Sequence, residues 1–252
     1  MTSAHNSAIV FVHGILGFSS FQLLGKEIQY FRALKANLHD CSTPIHFPAL
    51  PSTGTIEQRA KILASCLDEI PEQQIHLIAH SMGGLDSRHA ICHLDPKHRI
   101  QSLTTIATPH RGSPLAEWFI NKPGVIPALG RLITSPGLYE LTPDACTRFN
   151  YKTPNRPDVT YQSYAGVRTT AEMPILFRPW SNMLELEEGE NDSQVTKASA
   201  SWGNFQGTLQ ADHLELSGWS FGSPSKKHNR PFNHIEFYRT LINRLINAPT
   251  SV

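Results

Sequence analysis

The chain has 252 residues, 40% hydrophobic and 17% charged, enough for one globular domain with a substantial core. Its 22 basic and 21 acidic residues leave a net charge of +1, so neither nucleic acid nor an anionic membrane is expected as a steady partner. The apolar runs are too short for a transmembrane helix, and residues 1–7 carry no basic segment followed by an apolar one. The chain therefore reads as cytoplasmic as written, or as secreted if its N-terminus has been trimmed.

In chain order, Ala8-Ile9-Val10-Phe11-Val12 predicts a buried strand and His13-Gly14-Ile15-Leu16-Gly17 a glycine-bearing loop. A helix is predicted over Gly25 to Leu38, then a short extended piece around Ile45 to Phe47 and a Pro/Ser/Gly loop from Pro48 to Gly54. Next come a helix from Ile56 to Ile70, a strand Ile75 to Ile78, a helix Met82 to His93 and a strand Ile100 to Ala107. This alternation predicts an α/β protein with a mostly parallel central sheet and helices on both faces. Ligands then bind at the carboxyl ends of the strands, where Ile15, Ser81 and Thr108 fall.

From Pro114 to Asn150 repeated prolines break the pattern into short amphipathic helices. Two readings stay open: a fixed excursion packed on the sheet, or a lid whose apolar residues Trp118, Phe119, Leu129, Leu132 and Ile133 cover the site. Val159 to Val167 predicts a return to the sheet, residues 171–190 receive no assignment, and Phe232 to Ile246 has helical spacing. The whole, residues 1–252, is expected to be a single domain with 114–150 as an insertion, and a monomer. Cys41, Cys66, Cys92 and Cys146 lack paired spacing and read as free thiols, Cys66 as a buried member of the series Ile62, Leu63, Cys66, Leu67, Ile70.

The chemistry is carried by Ala79-His80-Ser81-Met82-Gly83-Gly84, set between a strand and a helix. Alone, the serine would also suit a helix N-cap. A strand-turn-helix with a serine at its tip, however, needs nearly side-chain-free residues two before and two after it, and Ala79 and Gly83 meet that need. Such a turn strains the serine backbone and lifts the hydroxyl clear of the chain. The loop after the first strand then brings the Ile15 N–H beside that of Met82, two donors for an oxyanion. Leu16, Trp118 and Phe119 are the expected substrate-lining residues.

A serine nucleophile needs a base and a carboxylate to orient it, in the order serine, acid, histidine in this arrangement. Of the downstream histidines, His234 sits in a helical pattern and His228 in a polar surface stretch, leaving His213. Asp212 is adjacent and would point away; Asp192 is favoured over Glu190 by position. His89 and His93 share a helix face, but Ala90 stands where a zinc-protease motif needs glutamate, and no metal is predicted there.

These segments, with Val10 to Gly14, Thr108-Pro109-His110-Arg111-Gly112-Ser113, Leu141-Thr142, Phe149-Asn150, Asn191-Asp192 and Asp212-His213-Leu214-Glu215, resemble the bacterial true lipases (lipase family I) of the α/β-hydrolase superfamily. The resemblance implies an α/β-hydrolase fold with a helical lid, hydrolysis of carboxylic esters of lipids, Ser81, Asp192 and His213 as catalytic residues, and transient contact with a lipid interface. It makes His110 structural. No cofactor is required. Glu215 stands where calcium-binding members carry aspartate, and Ser193 where glycine is usual; a carboxylate at 215 leaves calcium open, but no clear second ligand lies upstream and calcium is not predicted. A thioesterase or acyltransferase on the same residues is the first alternative. A non-catalytic ligand-binding receptor is the remote one.

Overall fold

The computed structural model describes residues 6–15, 20–23, 26–121, 135–221 and 232–247. Strands β1 (Ser7–Val12), β2 (Ser20–Leu23) and β3 (Lys26–Gln29) lead to helix α1 (Leu34–Asn37) and strand β4 (Ile45–His46). Helix α2 (Ile56–Asp68), strand β5 (Gln74–His80), helix α3 (Gly83–His93) and strand β6 (Ile100–Ile106) follow. Then come α4 (Pro114–Asn121), α5 (Pro136–Tyr139), α6 (Pro143–Lys152), β7 (Thr160–Gly166), α7 (Arg178–Glu188), α8 (Lys197–Ala200), β8 (Asn204–Leu209) and α9 (His234–Asn247). Six strands form one parallel sheet in the order β4-β1-β5-β6-β7-β8.

All six residues of β1 are buried, because both faces of the sheet are covered. Ala8, Val10 and Val12 meet Leu63, Leu67 and Ala90 of α2 and α3 on one face. Ile9 and Phe11 meet Phe31, Leu34, Tyr238 and Ile242 on the other. Burying a side chain such as Phe11 contributes about 1.5–3 kcal/mol, and its ring also packs edge-on against Tyr238 at 5.3 Å. Helix α2 begins at a capping box in which Thr55 and Gln58 satisfy each other's backbone N–H groups.

Two prolines of the insertion are helix starts: Pro136 and Pro143 occupy first-turn positions behind the N-caps Ser135 and Thr142. Leu115, Phe119, Leu138 and Leu141 form an apolar cluster with Met82 and Leu85 of α3 and with Leu184 of α7, the helix in the segment left unassigned by the sequence. Leu129, Leu132 and Ile133 lie outside the described residues. Among the described residues no helix is long and apolar enough to cross a membrane.

Two expectations need correction. The helix predicted over 25–38 is instead the antiparallel hairpin β2–β3 followed by the four-residue α1. The pairing engages the backbone of 20–23 with that of 26–29, and Ala33, at φ 56°, lies outside helical conformation just before α1. Cys66 is only half-buried and Ile62 is exposed, because the inward stripe of α2 is Ile56, Arg59, Ala60, Leu63 and Leu67. A buried arginine, paired across to α3, takes a place on the face that the apolar series assigned to hydrophobes.

Candidate active site

Ser81 sits between the end of β5 and the start of α3 with φ 56°, a conformation that a non-glycine residue holds only when its surroundings fix it. The fixing bonds are visible. Its N–H donates to the Ile106 carbonyl at 3.0 Å, and its carbonyl accepts from the Thr108 hydroxyl at 2.7 Å. A Cβ at Gly83 would lie 2.5 Å from the Val12 carbonyl oxygen and 2.8 Å from that of His13, so α3 can approach β1 only without a side chain there. Gly14 is packed as closely on the serine itself: a Cβ there would be 2.7 Å from Ser81 Cβ and 3.1 Å from Ser81 Oγ.

The loop after β1 is held by charge and by one histidine. Arg59, fully buried, donates from Nη2 to the His13 carbonyl at 2.6 Å and from Nε to Asp86 of α3 at 2.8 Å, so one guanidinium ties this loop to the helix behind Ser81. His13 Nε2 accepts the Leu50 N–H at 3.0 Å, which leaves the proton on Nδ1 to donate to the Gly14 carbonyl at 2.9 Å. Burial, with the Arg59 charge beside it, pushes this imidazole down to about 4, so it stays neutral at physiological pH. Ile15 and Met82 come together beneath the insertion: a Cβ on Gly137 of α5 would be 3.2 Å from Met82 Cε and 3.3 Å from Ile15 Cδ1. Leu16 lies outside the described residues.

His213, in the turn after β8, faces Asp192 with Nδ1 2.7 Å from Oδ2. An ionised carboxylate only accepts, so the ring proton sits on Nδ1 and Nε2 is left with a free lone pair. The other carboxylate oxygen, Oδ1, accepts the backbone N–H groups of Gln194 and Val195 at 3.0 and 2.7 Å. The backbones lock as well, the His213 N–H donating to the Asp192 carbonyl at 2.9 Å. Ser193 in this turn has φ 81°, the physical reason that glycine suits the position; Asn191 Oδ1 holds its N–H at 2.9 Å. Gly166 at the end of β7 leaves room for Asp192, whose Cβ would be 2.8 Å from a Cβ there.

Glu190 is exposed and ion-paired with Lys197 at 2.6 Å, away from His213. Asp212 turns its Oδ1 back to the N–H groups of Leu214 and Glu215. His234 bonds to the Arg32 carbonyl, and His228 lies outside the described residues. His80 is buried with its ring 4.6 Å from that of His213, bonded at Nδ1 to the Tyr30 hydroxyl at 2.7 Å; burial holds it well below the ordinary histidine range. His110 is buried against Thr105 at 3.0 Å and stacks on Trp202. Phe119 is buried against Trp180, while Trp118 packs only partly into the same cluster. The rings of His89 and His93 meet at 4.7 Å, and among the described residues no group of three or more His, Cys, Asp or Glu is arranged to hold a metal ion.

Sequence reasoning did not single out Tyr30, Arg59, Asp86 or Arg168. The available signal for Arg59 was an arginine on the apolar stripe of a helix, which in a buried face requires a carboxylate partner.

Residues 51–122 match the PGAP1-like alpha/beta domain family. Over 206 residues the chain is 35% identical to triacylglycerol lipase 2 of Saccharomyces cerevisiae, covering 77% of this chain and 63% of the yeast protein, just under two thirds of that relative's length. The triacylglycerol lipase of Pseudomonas fragi is 25% identical over 293 residues, covering 95% of this chain and 96% of the relative. Among solved structures, the mature form of a Bacillus licheniformis lipase superposes with a TM-score of 0.72 at 22% identity, covering 95% of this chain and 91% of that one. A metagenomic carboxyl esterase gives 0.74 at 21% identity, covering 98% and 76%. The chain has the α/β-hydrolase fold.

Proposed function

We propose that this lipase-like α/β-hydrolase is a serine carboxylic ester hydrolase acting on lipid acyl esters, with Ser81 as nucleophile, His213 as general base and Asp192 as its orienting carboxylate. The observation that supports this most is the 2.7 Å bond from His213 Nδ1 to a fully buried Asp192, in a molecule whose candidate nucleophile is held at φ 56° on a strand-to-helix turn. In the proposed reaction Ser81 Oγ attacks the ester carbonyl carbon while its proton passes to His213 Nε2. The developing oxyanion takes hydrogen bonds from the Ile15 and Met82 N–H groups, and Asp192 stabilises the imidazolium. The C–O bond to the alcohol breaks as His213 returns the proton to the leaving oxygen. Water, activated by the same ring, then releases the acid from Ser81.

The names of the two relatives, both triacylglycerol lipases, favour a substrate with acyl tails, a triacylglycerol or a medium-chain ester. The apolar cluster formed by α4, α5 and α7 over Met82 gives such a tail an apolar neighbourhood. The reading extends to placement with the bacterial true lipases of lipase family I, for which the match to the Pseudomonas fragi enzyme over 96% of its length is the support; the yeast relative means the likeness is not confined to bacterial proteins.

The test is labelling by a fluorophosphonate, with the modified peptide identified by mass spectrometry, followed by turnover of an ester series. Labelling at Ser81, lost in Ser81→Ala together with turnover, is expected. Preferential turnover of acyl thioesters, or transfer to an added alcohol in place of water, would favour the thioesterase or acyltransferase. Binding of an ester without turnover would favour the receptor.

A further inference from the structure

Some proteins that this sequence resembles hold calcium through a carboxylate two residues after the histidine, here Glu215. The residues present do not fit a metal. Glu215 Oε2 accepts from both Nε and Nη2 of Arg168 at 2.7 Å, and from the Asp212 N–H at 3.1 Å. Both side chains are almost wholly buried. A positive charge and three donors already converge on this one carboxylate oxygen, and a second cation beside a buried guanidinium is repelled.

Arg168 lies two residues beyond the end of β7 and touches both halves of the candidate triad's support. Its backbone N–H donates to the Asn191 carbonyl at 3.1 Å, next to Asp192. Its side chain grips Glu215, whose same oxygen fixes the backbone of Asp212, next to His213. We propose that Arg168 is a positioning residue: its buried ion pair with Glu215 joins the turn bearing Asp192 to the turn bearing His213, the task a divalent cation would otherwise perform. The inference rests on the ester-hydrolase reading of Ser81, His213 and Asp192.

The variants are Arg168→Lys, Arg168→Met and the double Arg168→Met/Glu215→Leu; the last removes both members of the pair, so neither charge is left buried without the other, which protects the test against simple misfolding. Steady-state hydrolysis of p-nitrophenyl butyrate is measured in excess EDTA and in millimolar calcium, with thermal melts and the rate of phosphonylation of Ser81. Wild type should be unaffected by either addition. The Met variant and the double variant should lose about 10²-fold in kcat with KM nearly unchanged, the scale expected for a misplacement of the reacting groups by about 1 Å. Phosphonylation should slow in parallel, because it too needs a placed His213, and Arg168→Lys should recover part of both. A wild type silenced by EDTA and restored by calcium overturns the proposal, as does a folded double variant with wild-type kcat. A wild type that neither turns over esters nor labels at Ser81 instead refutes the underlying reading, and this inference falls with it.

Discussion

Replacing Asp192 by asparagine tests the site through a consequence of its hydrogen bonding. The side chain keeps its shape, but its orientation is not free: the position of Oδ1 faces the N–H groups of Gln194 and Val195, so the amide oxygen must stay there. The NH2 group then occupies the place of Oδ2 and donates to His213 Nδ1. That forces the ring proton onto Nε2, the nitrogen that has to accept the serine proton, and the neutral amide no longer stabilises the imidazolium. The lost charge interaction alone is about 4 kcal/mol for unit charges ~4 Å apart at an effective dielectric of about 20, or roughly 10³ in rate. With the wrong tautomer added, kcat/KM on p-nitrophenyl butyrate should fall by about 10³ to 10⁴, while the melting temperature moves little because both Oδ1 bonds survive. Glu190→Gln, which touches only an exposed pair with Lys197, should leave the rate within about twofold. An Asp192→Asn enzyme within about tenfold of wild type, or a larger loss for Glu190→Gln, would refute this assignment of the acid.

Gly83→Ala should destabilise by about 3 kcal/mol or more, since the new Cβ meets two backbone oxygens that cannot move without shifting β1; urea unfolding measures it, and a midpoint like wild type would contradict the packing. Arg59→Met takes one partner from a buried pair and drops the bond to the His13 carbonyl; Asp86, which burial pushes up to about 7 even beside Arg59, then takes up a proton, and the expected loss is about 3–5 kcal/mol by the same assay, while a change under about 1 kcal/mol would mean the pair does not hold the loop. Acid should weaken the fold through His13, His80 and His110, all depressed by burial. The unfolded chain binds protons below its ordinary histidine value of about 6.5 that the folded chain refuses, so this stability is full above about 6.5 and drains as the pH falls towards about 4. Asp86 and Asp212, which burial pushes up to about 7 and about 6, act with the opposite sign, as does Glu140, but His76, His89 and His234 are depressed by burial too, so three carboxyls stand against six histidines. Denaturation midpoints that rise on acidification between those limits would refute the balance. Trp118→Ala should reduce hydrolysis of emulsified triglyceride more than that of a soluble butyrate ester if α4 meets lipid; equal losses would make this segment a fixed cover. Phe119→Ala is unsuited to that comparison, because a buried ring removed from the α4–α7 cluster destabilises by about 3–5 kcal/mol.

The local features of this protein are written in adjacent residues. Apolar segments such as 8–12 and 75–78 specify buried strands, and the small residues Ala79, Gly83 and Gly14 mark a turn that needs room; residue size is legible in the sequence, although the atoms that crowd Gly83, the Val12 and His13 carbonyls, come from the end of β1 and the loop after it. Ser81 falls just after β5 and His213 shortly after β8, positions that the strand pattern marks, whereas Asp192 lies well beyond β7, on the turn that follows α7. Other features depend on which faces the sheet brings together. Asp192 and Glu190 are two residues apart and chemically alike; only the turn anchored by Asn191 aims one at His213 and the other at Lys197. The β2–β3 hairpin has a sequence that also reads as helix, and pairing of 20–23 with 26–29 decided it. Arg59 with Asp86, and Arg168 with Glu215, are separated by 27 and 47 residues, and neither member announces its partner. Burying a charge is unfavourable unless an opposite charge reaches it, and that meeting is a property of the assembled layers, which is why the serine turn was legible in the sequence and the ionic ties around it were decided by the tertiary structure.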